Sequence, residues 1–166
     1  SYTYNAADMP VSMTYPDGEV VNFTYTNQML LDSVVGTDTY VFDTQYDSAS
    51  RMTSRELGNG LVQTYDYYAW NVQGGRLENL STESLQNFTY QYDAVGNINS
   101  IADSINSQIQ TFDYDALDRL WHAGATGTSE QGGYATETYT YNSTTGNLES
   151  KAGVTYTYNS GHAHAV

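Results

Sequence analysis

The residues best suited to chemistry in this 166-residue chain are its carboxylates. Asp113, Asp115 and Asp118 lie close together, and Asp47 and Asp93 recur in the same Tyr-Asp setting. Paired carboxylates can trade protons or hold a cation, but only where a cleft brings them to one face. Here two of the three belong to a single turn, and no Asp-x-Asp-x-Asp-Gly calcium loop occurs. In Asp47, Asp93 and Asp115 a Tyr precedes the Asp, and a Ser, Gly or Asp follows three residues later. That is a strand end followed by an Asx-turn, whose carboxylate accepts backbone N–H groups. These Asp residues are expected to fix turns rather than to move protons. His162 and His164, two apart and so on one face of a strand, could share a metal, but without an acidic or histidine neighbour in sequence they read as a repeat terminus. His122 is isolated, no Ser stands in a Gly-x-Ser-x-Gly elbow, and there is no Cys. No enzyme, cofactor or metal centre is expected.

The elements that must hold such turns are short strands. The hinge is clearest in Phe112-Asp113-Tyr114-Asp115-Ala116-Leu117-Asp118-Arg119-Leu120 and Tyr90-Gln91-Tyr92-Asp93-Ala94-Val95-Gly96-Asn97-Ile98. It returns as Tyr46-Asp47-Ser48-Ala49-Ser50-Arg51-Met52 and, one residue longer, as Tyr141-Asn142-Ser143-Thr144-Thr145-Gly146-Asn147-Leu148. Tyr25 to Leu31 is a degenerate copy without the Asp. In each copy the Tyr is expected to end a strand and pack on the Tyr of the neighbouring repeat. Gly96, Asp118 or Gly146 sits where the chain reverses, and Arg51, Asn97, Arg119 or Asn147 bridges to the next turn. A Leu, Ile or Met then re-enters the sheet.

Anchor tyrosines run Tyr4, Tyr25, Tyr46, Tyr67, Tyr92, Tyr114, Tyr141 and Tyr158, and the first three intervals are each 21 residues. A regular period of this length signals a repeat architecture, and two strands with two turns fill it. The 17 Tyr suit a half-buried sheet, the 14 Gly suit tight turns, and no helical apolar stripe is sustained. The fold class is therefore all-β: repetitive antiparallel β-hairpins of about 21 residues, one domain over 1–166, forming a β-solenoid or an open section of a β-shell.

Local signals add detail. Pro16-Asp17-Gly18 and Gly58-Asn59-Gly60 predict tight turns. The hinge from Tyr67 to Leu77 is swollen into a loop that displays Trp70. Thr82 to Leu85 suggests one helical turn, and the Gly- and Thr-rich stretch Gly124 to Gly133 a mobile insertion.

These hinges resemble the YD repeat of Rhs proteins, of Tc insecticidal toxin shell components and of teneurins, over essentially the whole chain. The closing His164-Ala165-Val166 resembles the Pro-His-Ala-Val met near the end of such arrays, with Ala163 in place of the Pro. The resemblance implies a hairpin strip that spirals into a hollow shell, enclosing a polypeptide in the toxins and forming an extracellular barrel in teneurins. It also implies an extracellular or cell-surface location. Eight units are few for closing a shell, and the Asp-Pro-x-Gly region tied to self-cleavage is absent, so encapsulation and autoproteolysis are not carried over to this piece alone. Starting at Ser1 rather than Met, the chain reads as a piece of a longer product.

A formal net charge of −14 repels phosphate backbones and anionic lipid, which disfavours nucleic-acid partners, and no apolar run reaches membrane-spanning length. An open stack of hairpins leaves unpaired strand edges that invite self-association or neighbouring repeats of a longer chain. A structural wall is the expectation. The alternative is a surface or glycan-binding module that stacks sugars on exposed aromatics such as Trp70. Sequons at Asn22, Asn79, Asn87 and Asn142 allow N-glycosylation.

Overall fold

In a computed structural model, which describes residues 1–158, alternating apolar and polar runs form strands and the turn-rich hinges form their connections. Two compact units result, Ser1–Asn87 and a second from Phe88 onward. The first carries β1 (Tyr2–Tyr4), β2 (Pro10–Thr14), β3 (Val20–Tyr25), β4 (Leu31–Val35), β5 (Thr39–Tyr46), β6 (Met52–Leu57) and β7 (Val62–Tyr67). A single helical turn, α1 (Trp70–Gln73), precedes β8 (Leu77–Thr82). β9 (Gln86–Tyr92) begins in the last residues of the first unit and lies mostly in the second, which continues with β10 (Ile98–Asp103), β11 (Gln108–Tyr114) and β12 (Leu120–Ala125). The second unit ends with β13 (Tyr134–Tyr141), β14 (Leu148–Lys151) and β15 (Val154–Thr155). Within each unit every strand pairs antiparallel with its neighbour in sequence, and neither unit closes on itself. The all-β hairpin architecture expected from the alternation is present.

Strands make their substantial contacts only with the strands beside them, so each unit is one sheet layer. Burial is correspondingly thin. Among the described apolar residues only Val21 and Ala123 are buried, each 3% exposed. One face of β11 presents Gln108, Gln110, Phe112 and Tyr114, all covered or half-covered, and the other presents Ile109, Thr111 and Asp113, all exposed. Hydroxyl pairs cross the strands at Thr3–Ser12 (2.6 Å), Thr24–Ser33 (2.7 Å), Thr64–Ser81 (2.6 Å) and Thr140–Ser150 (2.8 Å). Such cross-strand pairs are each worth a fraction of a kcal/mol.

One local expectation is corrected. Thr82 to Leu85 makes a tight reversal, with Glu83 at φ 44°, rather than a helical turn. The Gly- and Thr-rich stretch Gly124 to Gly133 contains regular local structure. Its start belongs to β12, and Ser129–Gln131 forms a 3₁₀ turn boxed by Thr128 and Gln131. The Gln108 amide donates to the Gln131 carbonyl at 2.6 Å, which ties this turn to β11.

Candidate functional site: the repeated hinge

Each hinge is the same object made from different residues. The second residue sends its N–H to the carbonyl before the next strand: Asn5 to Met9, Thr26 to Leu30, Asp47 to Arg51, Asp93 to Asn97 and Asp115 to Arg119, all at 2.8–3.0 Å. Its side-chain oxygen accepts N–H groups two and four residues on. Asp47 takes those of Ala49 (2.8 Å) and Arg51 (3.0 Å), and Asp115 those of Leu117 (2.8 Å) and Arg119 (3.0 Å). Asp93 takes three, from Val95, Gly96 and Asn97, at 2.7–3.0 Å. Asn5 and Thr26 accept at the same two positions in their turns, so neither a charge nor a carboxylate is required. In the longer hinge Asn142 accepts from Thr144 and Thr145, while Asn142 donates its N–H to the Asn147 carbonyl at 2.8 Å.

The fifth residue reverses the chain in the left-handed region: Asp8, Met29, Ser50, Gly96 and Asp118 have φ of 56°, 62°, 62°, 106° and 58°, and Gly146 in the longer hinge has 74°. Tyr4, which the sequence marks only as the first anchor, opens a full hinge that runs to Pro10. Asn5, Asp8 and Pro10 stand at the defining places, which is the signal that would have found it.

Every hinge also carries a register slip between the Tyr and the strand that follows, leaving Tyr25 opposite Leu31, Tyr46 opposite Met52, Tyr114 opposite Leu120 and Tyr141 opposite Leu148. Bulges of this kind bend the strand and re-aim its side chains. The hydroxyl of each Tyr then donates to the carbonyl that opens the strand after the preceding hinge. Tyr25 reaches Pro10, Tyr46 reaches Leu31 and Tyr67 reaches Met52. Tyr114 reaches Ile98, Tyr141 reaches Leu120 and Tyr158 reaches Leu148, the six bonds spanning 2.6–2.8 Å. This ladder was invisible in the sequence, because a carbonyl acceptor has no side-chain signature.

The sixth residue reaches forward. Arg51 binds Asp47 at 2.7 Å, donates to the Gly75 carbonyl at 2.8 Å and lies over the Tyr67 ring at 4.3 Å. Arg119 binds Asp115 at 2.6 Å and lies over the Tyr141 ring at 4.4 Å. Asn97 donates to Asp118 of the next hinge at 3.0 Å. The hinge rings at Tyr67 and Tyr141 are therefore covered by a guanidinium, where the sequence suggested ring on ring. The Tyr92 hinge is closed by Asn97, which also bonds Asp93 at 3.1 Å.

Charge follows geometry. The Arg51 N–H, then its side chain, holds the Asp47 carboxyl below the usual range, and the Arg119 side chain does so for Asp115. At Asp93 partial desolvation pushes upward, but the hydrogen bonds from Asn97, Gly96 and Val95 together outweigh it. Desolvation raises the Tyr67, Tyr114 and Tyr141 phenols, and raises Tyr139, beside Glu137, to about 12.

The remaining expected sites are scattered. Trp70 is 64% exposed, with the Arg51 guanidinium 4.8 Å from its ring. A Cβ on Gly75 would meet that ring at 2.7 Å, so glycine is required there. Of the sequon asparagines Asn22 is exposed; Asn79 donates to Asn87 at 2.8 Å, and the Asn142 amide donates to Glu149 at 2.9 Å. His122 sits 3.8 Å from Asp113 across the strands. His162 and His164 lie outside the described residues.

No protein-family model matches the chain. Its fold is similar to that of a part of TcdB2-TccC3. The crystal structure of TcdB2-TccC3 without its hypervariable C-terminal region superposes with a TM-score of 0.73 at 23% identity, covering 89% of this chain and 9% of that one. The TcdB2-TccC3-Cdc42 structure gives 0.72 at 22%, over 93% and 9%. A Photorhabdus luminescens Tc holotoxin pore with the TccC3-D651A mutation gives 0.60 at 16%, over 89% and 10%. The chain spans about a tenth of the length of these proteins, and the likeness is one of fold.

Proposed function

We propose that this chain is a non-enzymatic structural element: a β-sheet wall, either part of an Rhs-type shell or a block that associates end to end into an extracellular filament. The observation that carries this reading is the hydroxyl ladder, which within each unit ties successive hinges together through the same bond. In a quasi-one-dimensional array of this kind each unit is held by its neighbours, and extension is the natural outcome. The fold shared with much longer Tc toxin chains supports a segment role, with neighbouring repeats as partners and, in a longer parent, an enclosed polypeptide.

Negative-stain microscopy with light scattering across a concentration series tests self-association. Filaments growing with concentration are the expected result for the free block, and a monomer at all concentrations removes the filament and leaves the shell segment. A second reading, glycan binding at a cell surface, draws on the exposed Trp70 indole. It expects Trp70→Ala to abolish binding to a glycan panel, whereas the wall expects no panel binding by either form.

A further inference from the structure

Arg51 and Arg119 hold the same place in their hinges. Each binds the Asp four residues before it and lies over the Tyr of the next hinge. They differ in what meets the rest of the guanidinium. At Arg51 the first unit supplies those partners from its own swollen loop. The Trp70 ring lies 4.8 Å from the guanidinium carbon, and the Gly75 carbonyl accepts from Nη1 at 2.8 Å. The fit is close, since a Cβ on Gly75 would meet the indole at 2.7 Å and Nη1 at 2.8 Å.

In the second unit the next hinge, residues 141–148, is shorter and holds no aromatic residue after Tyr141. Among the described residues Arg119 receives no second ring, and its Nη1 has no acceptor. An open pocket of about 510 Å³ stands there instead, and Tyr114, Asp115, Arg119, Trp121, Tyr139 and Tyr141 line it. That is the usual size of a ligand site. The Arg119 side chain is 31% exposed in it, so the guanidinium can be reached. Trp121, 49% exposed, and Tyr139 lie one residue beyond the His122–Thr138 pair of β12 and β13. In the first unit the place of Trp121 is held by Thr53.

We propose that the Arg119 pocket docks an aromatic side chain of another polypeptide, as the first unit docks its own Trp70. Charge selects this occupant. Asp115 already neutralises the guanidinium, so an anion gains little. The negative face of a ring and a neutral carbonyl complement what is left, the uncovered side of Arg119 and its Nη1–H. With a net charge of −14 on the chain, the segment that carries the ring is neutral or basic.

The two indole N–H and four arginine Nε–H resonances of the isotope-labelled full chain report docking. Trp121 and Arg119 are assigned by their loss in Trp121→Thr and Arg119→Lys. The probe is an unlabelled, capped peptide of residues 70–75, Trp-Asn-Val-Gln-Gly-Gly, which carries no charge. It should move the Trp121 and Arg119 resonances saturably and leave Trp70 and Arg51, whose site is filled, in place. The same peptide with Leu for Trp should move neither. Arg119→Lys keeps the charge but loses the planar face, and should weaken the affinity read at Trp121 about fivefold. Trp121→Thr, read at Arg119, should weaken it about threefold, with melting curves confirming that both variants fold. The proposal is overturned by no saturable shift at millimolar peptide, by equal shifts with the Leu peptide, or by unchanged affinity in the folded variants. A response of Arg119 to the glycan panel in place of the peptide overturns it as well.

Discussion

At the fifth hinge position Gly96 has φ 106°, where an L side chain is strained. Gly96→Ala is therefore expected to destabilise the second unit by about 1–2 kcal/mol, measured by chemical denaturation. At the second position the acceptor matters more than the charge, since Asn5 and Thr26 do the same work as Asp47. Asp93→Asn should keep most of the melting midpoint that Asp93→Ala loses; equal loss by both would move the emphasis to charge. Tyr114 combines ring and hydroxyl, so Tyr114→Ala should cost about 3 kcal/mol, against an unchanged midpoint if the ring were mere surface.

The elements show which features are legible. Strand ends at Tyr25, Tyr46, Tyr92, Tyr114 and Tyr141 could be placed because a β-favouring aromatic is followed at once by residues that prefer turns. The Asx-turn role follows from side-chain chemistry within four residues. The register slips and the hydroxyl ladder act across strands, between a phenol and a backbone carbonyl that any residue supplies, and local reading has no access to them. The swollen hinge is intermediate: a loop carrying Trp70 could be anticipated, but not that Arg51 of the preceding hinge would fasten it. Arg51→Ala should raise amide hydrogen exchange in Trp70–Gly75 while leaving β2 and β3 protected; unchanged exchange there would show that the loop holds itself.

Across the molecule, single-layer units whose described residues include only two buried apolar side chains cannot rest on a conventional core. Its stability is distributed over hinges, and so depends on their protonation. Asp47, Asp93 and Asp115 have carboxyls below the ordinary value, so their contribution is complete above about pH 4 and is lost as pH falls through the lowered folded values. Tyr67, Tyr114, Tyr139 and Tyr141 are raised, so theirs is complete below about pH 10 and is lost as pH rises beyond it. Melting midpoints should form a plateau between these limits and fall on both sides.

The central claim is that the tyrosine hydroxyls hold successive hinges together. Replacing Tyr25, Tyr46, Tyr67, Tyr114, Tyr141 and Tyr158 together by Phe keeps every ring and removes only the six donors. At about 1 kcal/mol for each hydrogen bond, added over well-separated sites, the loss approaches the whole stability of an ordinary domain. The account predicts a sixfold variant that is largely unfolded in dilute buffer or melts far below the parent; a denaturation curve that overlays the parent's would contradict it.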